Sequence, residues 1–172
     1  MKQLIKLFLV LMMLMALTAC TKTVEPFSAA HIDRSTYPHS SQPLAVKTEL
    51  VGTYPGLTKS GAGYFYDEVL EYRVWMHPEK GAGHLAGNED YFAAFASYES
   101  ALAYSRVTKG AEPPLVLVRQ IESINEPSPG KFEWDKTERV TEWNTDWLKG
   151  SLRKADSIQQ FLTKHKVAAP ET

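Results

Sequence analysis

Cysteine is almost missing from this chain. Cys20 is the only one in 172 residues, so no disulfide can close within the chain and no multi-cysteine metal site can be built. Basic runs are missing as well. Lys and Arg number 19 against 20 Asp and Glu, a net charge of −1. A mildly acidic chain without a basic stripe matches neither the nucleic-acid backbone nor anionic lipid headgroups. The sequence also lacks the helical H-E-x-x-H pair of zinc hydrolases and the G-x-S-x-G turn of serine hydrolases. No segment repeats itself. The one long apolar run, Leu7 to Leu17 (LFLVLMMLMAL), is too short to cross a bilayer comfortably.

That run follows Lys2 and Lys6, which resist translocation and fix its orientation. A charged start, an apolar core and small residues after it have the layout of a secretory signal. The core ends in Leu17-Thr18-Ala19-Cys20. These four residues resemble the lipobox of bacterial lipoproteins. The resemblance implies cleavage before Cys20, a diacylglyceryl group on its thiol and an acyl chain on the new amine. Each buried methylene then contributes roughly 0.8 kcal/mol of membrane affinity, so two or three chains hold firmly. Thr21, where retention at the inner membrane favours Asp, points by the same resemblance to the outer membrane, with the protein on the periplasmic side. Lipidation consumes the only thiol, so the fold must stand without disulfides in a compartment that allows them. Removing residues 1–19 takes away Lys2 and Lys6 and leaves 17 basic against 20 acidic residues, or −3.

After residues 1–19, the signal, residues 20–49 read as the lipidated Cys20 and a flexible tether rich in Pro, Ser and Thr. Its reach is on the order of 30 Å. His31 and His39 fall in it as solvated residues. A compact domain is expected over 50–151, then an amphipathic helix and tail over 152–172.

Within the domain, Glu68 to Met76 (EVLEYRVWM) alternates: Leu70, Tyr72, Val74 and Met76 share one face, Val69, Glu71, Arg73 and Trp75 the other. That is the pattern of a half-buried strand. A glycine-containing loop runs from His77 to Asp90. Tyr91 to Ala96 reads as a second strand, and Ser97 caps a helix from Tyr98 to Val107 that stops at Lys109-Gly110. Leu115 to Ile121 (LVLVRQI) is the strongest strand signal. The strand–helix–strand series is compatible with a crossover unit or with two antiparallel strands. Glu126-Pro127-Ser128-Pro129-Gly130 reads as a loop, and Lys131 to Trp143 as a hairpin turning near Lys136-Thr137. A short helical piece is expected at Asp146 to Lys149, and the last helix over Leu152 to Lys164. The fold class is α+β: a small, mostly antiparallel sheet of about four to five strands with one or two packed helices.

Tyr72-Arg73-Val74-Trp75-Met76-His77-Pro78-Glu79, with Asp90-Tyr91-Phe92, Ala94-Phe95-Ala96-Ser97-Tyr98-Glu99, Pro114 to Val118, Arg139 to Trp143 and Trp147 to Ser151, resembles a group of short bacterial proteins often labelled GCN5-like acetyltransferases. The resemblance spans roughly Tyr72 to Arg153. The enzymes behind that label cradle a pyrophosphate on a [QR]-x-x-G-x-[GA] loop opening a helix. The nearest segment here, Lys80-Gly81-Ala82-Gly83, has Pro78 where Gln or Arg belongs and leads towards a strand. Acetyl transfer is therefore not the expected activity.

Other chemistry is equally thin. His77 and His84 with Glu79, Glu89 and Asp90 offer zinc-type donors without a helical spacing. Ser60 and Ser97 lack a nucleophile turn. Asp67/Glu68 and Glu89/Asp90 are carboxylate pairs of the kind used in glycan hydrolysis, and also of the kind found solvated beside strands. No cofactor, metal site or catalytic residue is expected. Trp75, Trp134, Trp143 and Trp147 offer the aromatic anchors that binding surfaces favour. The candidate contact residues are Trp75, Arg73 and Glu71 on one strand face and His84, Glu89 and Asp90 on the loop. The expected function is a lipid-anchored, non-catalytic binding domain whose partner is a protein. Its most concrete form is an immunity protein against an envelope-attacking toxin, such as a phospholipase or cell-wall enzyme delivered by a type VI secretion system. The alternatives are an acetyltransferase-like or metal-dependent enzyme and a structural subunit of an envelope complex.

Overall fold

A computed structural model describes residues 42–56, 63–85 and 88–166, all within the unit Ile32–Thr172. The expected signal peptide, Cys20, the first part of the tether and Ser60 lie outside the described residues. Among the described residues no helix is long and apolar enough to cross a membrane.

The architecture is α+β. Six strands appear in chain order: β1 (Glu68–Met76), β2 (Tyr91–Phe95), β3 (Leu115–Gln120), β4 (Ser123–Ser128), β5 (Lys131–Asp135) and β6 (Arg139–Asn144). Helix α1 (Tyr98–Val107) joins β2 to β3, and α2 (Ser157–Lys164) closes the described chain. The main sheet has the order β2-β1-β3-β6, and β4-β5 form a separate pair. Every pairing between these strands is antiparallel. Because β2 and β3 both run antiparallel to β1 from opposite sides, they are parallel to each other, and α1 crosses over the strand between them. That decides between the two readings of the strand–helix–strand series.

The alternation of β1 is broken by one extra residue. Val69 lies opposite Val118 and Glu71 opposite Leu117, leaving Leu70 as a bulge. The bulge turns Val69 onto the same side as Tyr72, Val74 and Met76, where the sequence pattern puts Leu70. On this side the strand packs with Val116, Val118, Trp143 and Ala101 of α1. Ser97 caps α1 as expected, its hydroxyl oxygen accepting the Ser100 N–H at 3.2 Å.

Residues 43–56 lie over the domain, so the packed chain begins ahead of Leu50. Ala45 is buried and donates its N–H to the Ala96 carbonyl, and Val46 N–H donates to Val69. The Tyr72 hydroxyl donates to the Pro43 carbonyl at 2.5 Å. Both faces of β1 are consequently buried, from Val69 to Val74 without a gap, and the half-buried strand expected from alternation becomes a central one.

The expected hairpin over Lys131 to Trp143 is two strands of different sheets. β5 pairs with β4, while β6 pairs with β3. The segment read as a loop at Glu126 to Gly130 is largely β4, which turns at Pro129-Gly130 so that Ser128 meets Lys131. Gly130 supplies the positive φ of 75° that the two-residue turn needs. Ile124 of β4 is fully buried against Ile158 and Leu162 of α2, with Phe65, Phe132, Trp134 and Phe161 around them. This second small core accounts for β4 despite its Pro and its charged Glu126. The two sheets are joined by Arg139, which donates to Gln120 at 2.6 Å, Ser123 at 3.0 Å and Asn125 at 2.8 Å. Gly63 lies against this junction with φ of 106°, and any side chain there would meet Arg139 and Gln120. The last helix is shorter than expected, starting at Ser157, and the helical piece near Asp146 is a 3-10 turn, Thr145–Leu148.

Candidate functional site

The sequence nominates the Glu71, Arg73 and Trp75 face of β1 as a contact surface. The structure encloses it. Glu71 and Arg73 are both 0% exposed. Arg73 Nε donates to Glu71 at 2.6 Å and Nη1 to Glu142 of β6 at 2.8 Å. Nη2 reaches the Pro55 carbonyl at 2.8 Å, and the guanidinium lies 4.3 Å from the centre of the Phe92 ring. Gly52 N–H donates to the second Glu71 oxygen at 2.7 Å. Trp75 Nε1 shares Glu142 at 3.3 Å, and its ring packs on Phe92 at 5.0 Å. Each charge has its partners, and the segment around Tyr54-Pro55 closes over them. The surface reading of Glu71 and Arg73 is therefore corrected: they fasten that segment to the sheet, while Trp75 beside them is half-buried.

The loop candidates divide. His84 and Glu89 are exposed. Asp90 meets His77 at 2.9 Å, with Glu79 at 3.6 Å from the same ring nitrogen. The segment Lys80 to Gly83 follows a 3-10 turn, Pro78–Lys80, and leads to strand β2 rather than to a helix. A pyrophosphate cradle at a helix N-terminus is thus not formed there. The Asp67/Glu68 pair is taken by arginines: Asp67 pairs with Arg153 at 2.5 Å and Glu68 with Arg119 at 3.1 Å.

Two of the tryptophans expected to serve recognition, Trp143 and Trp147, come together elsewhere. A cleft of about 410 Å³ opens where β6 and the 3-10 turn Thr145–Leu148 face β4. Its lining includes Gly63, Tyr64, Trp143, Trp147 and Ser151, with Glu126 and Lys149 bringing one charge of each sign. Trp143 is buried and Trp147 is 53% exposed. The two indoles meet edge to face at 6.2 Å, and Trp143 is held from behind by Tyr66 at 5.9 Å. Asn144 positions Trp147 locally: its side chain accepts the Asp146 N–H at 2.9 Å and starts the 3-10 turn.

Tyr64 forms another wall, packed on Phe161 at 4.9 Å and Phe132 at 5.9 Å. Its hydroxyl donates to Glu126. That bond holds the Tyr64 hydroxyl protonated, its pKa raised first by the bond and then by desolvation. The same bond, followed by the Gly130 N–H, lowers the Glu126 pKa and keeps its carboxylate charged. A fixed anion, a lysine and a half-exposed indole over a buried one are groups of the kind that recognition surfaces use. Trp143 and Trp147 are visible in the sequence as aromatics. Tyr64, Glu126 and Lys149 are not singled out there, because they come together only through the β4–β5 pair. A second cleft of about 410 Å³ lies between Phe65 and α2, lined mainly by polar residues.

No protein-family model, curated protein or solved structure matches this chain. The functional reading rests on the residues themselves.

Proposed function

We propose that this protein is a non-catalytic binding domain, held by lipid on Cys20 at the periplasmic side of a bacterial membrane, the outer membrane by preference. The observation that carries the binding reading is the Tyr64–Trp143–Trp147 cleft: a rigid aromatic floor with one half-exposed Trp and a charged rim. Aromatic anchors of this kind supply much of the energy in protein interfaces. The partner is a protein that inserts a chain or loop into the cleft. In its most specific form the partner is an envelope-attacking enzyme, and the domain is the immunity protein that occludes it. The lipobox-like Leu17-Thr18-Ala19-Cys20 supports the location, and the following residues give the domain room to meet a partner at the membrane.

Two experiments test the two halves. Cys20→Ala should abolish processing and membrane fractionation; fractionation with membranes regardless contradicts the anchor. Capture with the wild-type, Cys20-anchored chain should enrich an enzyme acting on lipid or cell wall, with its activity suppressed by the complex. Capture of no such enzyme, or of one left fully active in the complex, contradicts the immunity reading.

A further inference from the structure

We propose that His77, Glu79 and Asp90 bind one divalent transition-metal ion of the zinc class, at a site separate from the aromatic cleft and independent of the binding reading. Donor atoms of these three side chains all lie within 4.8 Å of one another. They come from the residue just after β1, the 3-10 turn that follows and the residue before β2. Glu79 and Asp90 are exposed enough, at 62% and 46%, to swing inward without moving the backbone. Zinc bonds of about 2.0–2.2 Å to nitrogen and oxygen require such a contraction.

The imidazole carries the argument. It faces carboxylates on both nitrogens: Nδ1 lies 2.9 Å from Asp90 and 3.6 Å from Glu79, and Nε2 lies 2.9 Å from Glu112. Nε2 is enclosed by protein, and Glu112 stands off the angle a hydrogen bond needs, so this nitrogen has no hydrogen-bond partner. A neutral ring has one N–H. Nδ1, on the other edge of the ring, faces the Asp90 and Glu79 carboxylates, a convergence of one nitrogen and two carboxylate oxygens that a cation between them would satisfy. Glu112 stands 2.9 Å behind the ring, on the side away from the proposed ion, where a small rotation of its carboxylate would let it accept from Nε2, the usual support of a metal-bound histidine. Lys80 holds Glu112 in place at 3.1 Å.

The frame is fixed by backbone. His77 N–H donates to the Gly110 carbonyl at 2.9 Å, and its own carbonyl accepts from Lys80 and Ala82. Gly110 has φ of 75° and is packed so closely against Ala82 and His77 that no side chain fits. The Tyr91 hydroxyl donates to the Gly83 carbonyl at 2.8 Å. An imidazole among two carboxylates favours zinc over calcium or magnesium. Three protein ligands leave a fourth position for water or for a donor from a partner.

The test is calorimetric titration of zinc chloride, and separately calcium chloride, into chelator-treated full-length protein in detergent. One zinc should bind per chain, at least ~10-fold more tightly than calcium. Zinc binding should disappear in His77→Ala and weaken more than ~10-fold in Glu79→Gln, with Glu112→Gln weaker by ~10–100-fold as a supporting carboxylate. His84→Ala should bind as wild type. Glu79→Gln alters only an exposed side chain, so it keeps the test open if His77→Ala does not fold. Absence of zinc binding, or zinc binding unchanged in Glu79→Gln, overturns the site.

Discussion

The two faces of β1 are buried to a similar degree by opposite means. One face sets Val69, Tyr72, Val74 and Met76 against α1 and Trp143. The other sets Glu71 and Arg73 against Glu142 and the carbonyls of Tyr54 and Pro55. Apolar packing is non-directional and tolerates relaxation around a loss. A buried ion network is directional, and each member depends on every other. The lesson is that a charged strand face is not by itself a surface. The charges here hold the chain ahead of β1 in one place, and the proposed recognition rests instead on Tyr64, Trp143 and Trp147.

The largest expected effect breaks the polar face. Arg73→Ala strands two carboxylates and should cost about 3–5 kcal/mol in urea unfolding. Replacing Glu71, Arg73 and Glu142 together by Leu, Met and Leu should recover most of that loss, because a network removed whole leaves no unpaired charge. No recovery would mean the face depends on charge for more than closure. On the apolar face, Met76→Ala should cost about 2–5 kcal/mol, set by how far the site collapses. There the comparison predicts partial rescue by a larger neighbour and none by a charge.

A smaller effect concerns the second sheet. Asp135 has its pKa lowered below the ordinary 3.8, first by the Thr137 hydroxyl and then by the Thr137 N–H. A lowered folded pKa means its contribution is present above the unfolded value and lost as pH falls through the folded one. Stability should therefore fall between about pH 4 and the lowered value. Thr137→Val should move the Asp135 carboxyl upward in an NMR titration and reduce that acid-range loss. An unchanged titration would show that the backbone bond alone sets it.

Much of this fold is legible in the sequence. The bounds of β1 and α1 follow from period-two alternation closed by Pro78 and from the Ser97 cap. β3 is a run of β-branched and aliphatic residues. What escapes is long-range. The Leu70 bulge leaves no local mark, and it moves Val69 across the sheet. β4 reads as a loop because Glu126, Pro127 and Ser128 resist strand formation, and only Ile124 on α2 offsets that. Arg139, sharing itself among Gln120, Ser123 and Asn125, separates β5 from β6 where local turn chemistry suggests a hairpin. The candidate cleft depends on that separation, so its Tyr64 and Glu126 walls were beyond sequence reasoning. Glu71 and Arg73 read as surface because they are charged, and their charges are what draws the Tyr54-Pro55 segment over them.

The measurement that tests the account most directly is calorimetric binding of the captured partner to wild type and to Trp147→Ala, beside their thermal midpoints. Trp147 is half exposed and its contact with Trp143 contributes no more than about 1.5 kcal/mol, so the variant should remain folded. The account predicts a loss of at least about 2 kcal/mol in binding, the size of an interface anchor. Wild-type affinity in a folded Trp147→Ala protein would contradict the cleft as the site of recognition.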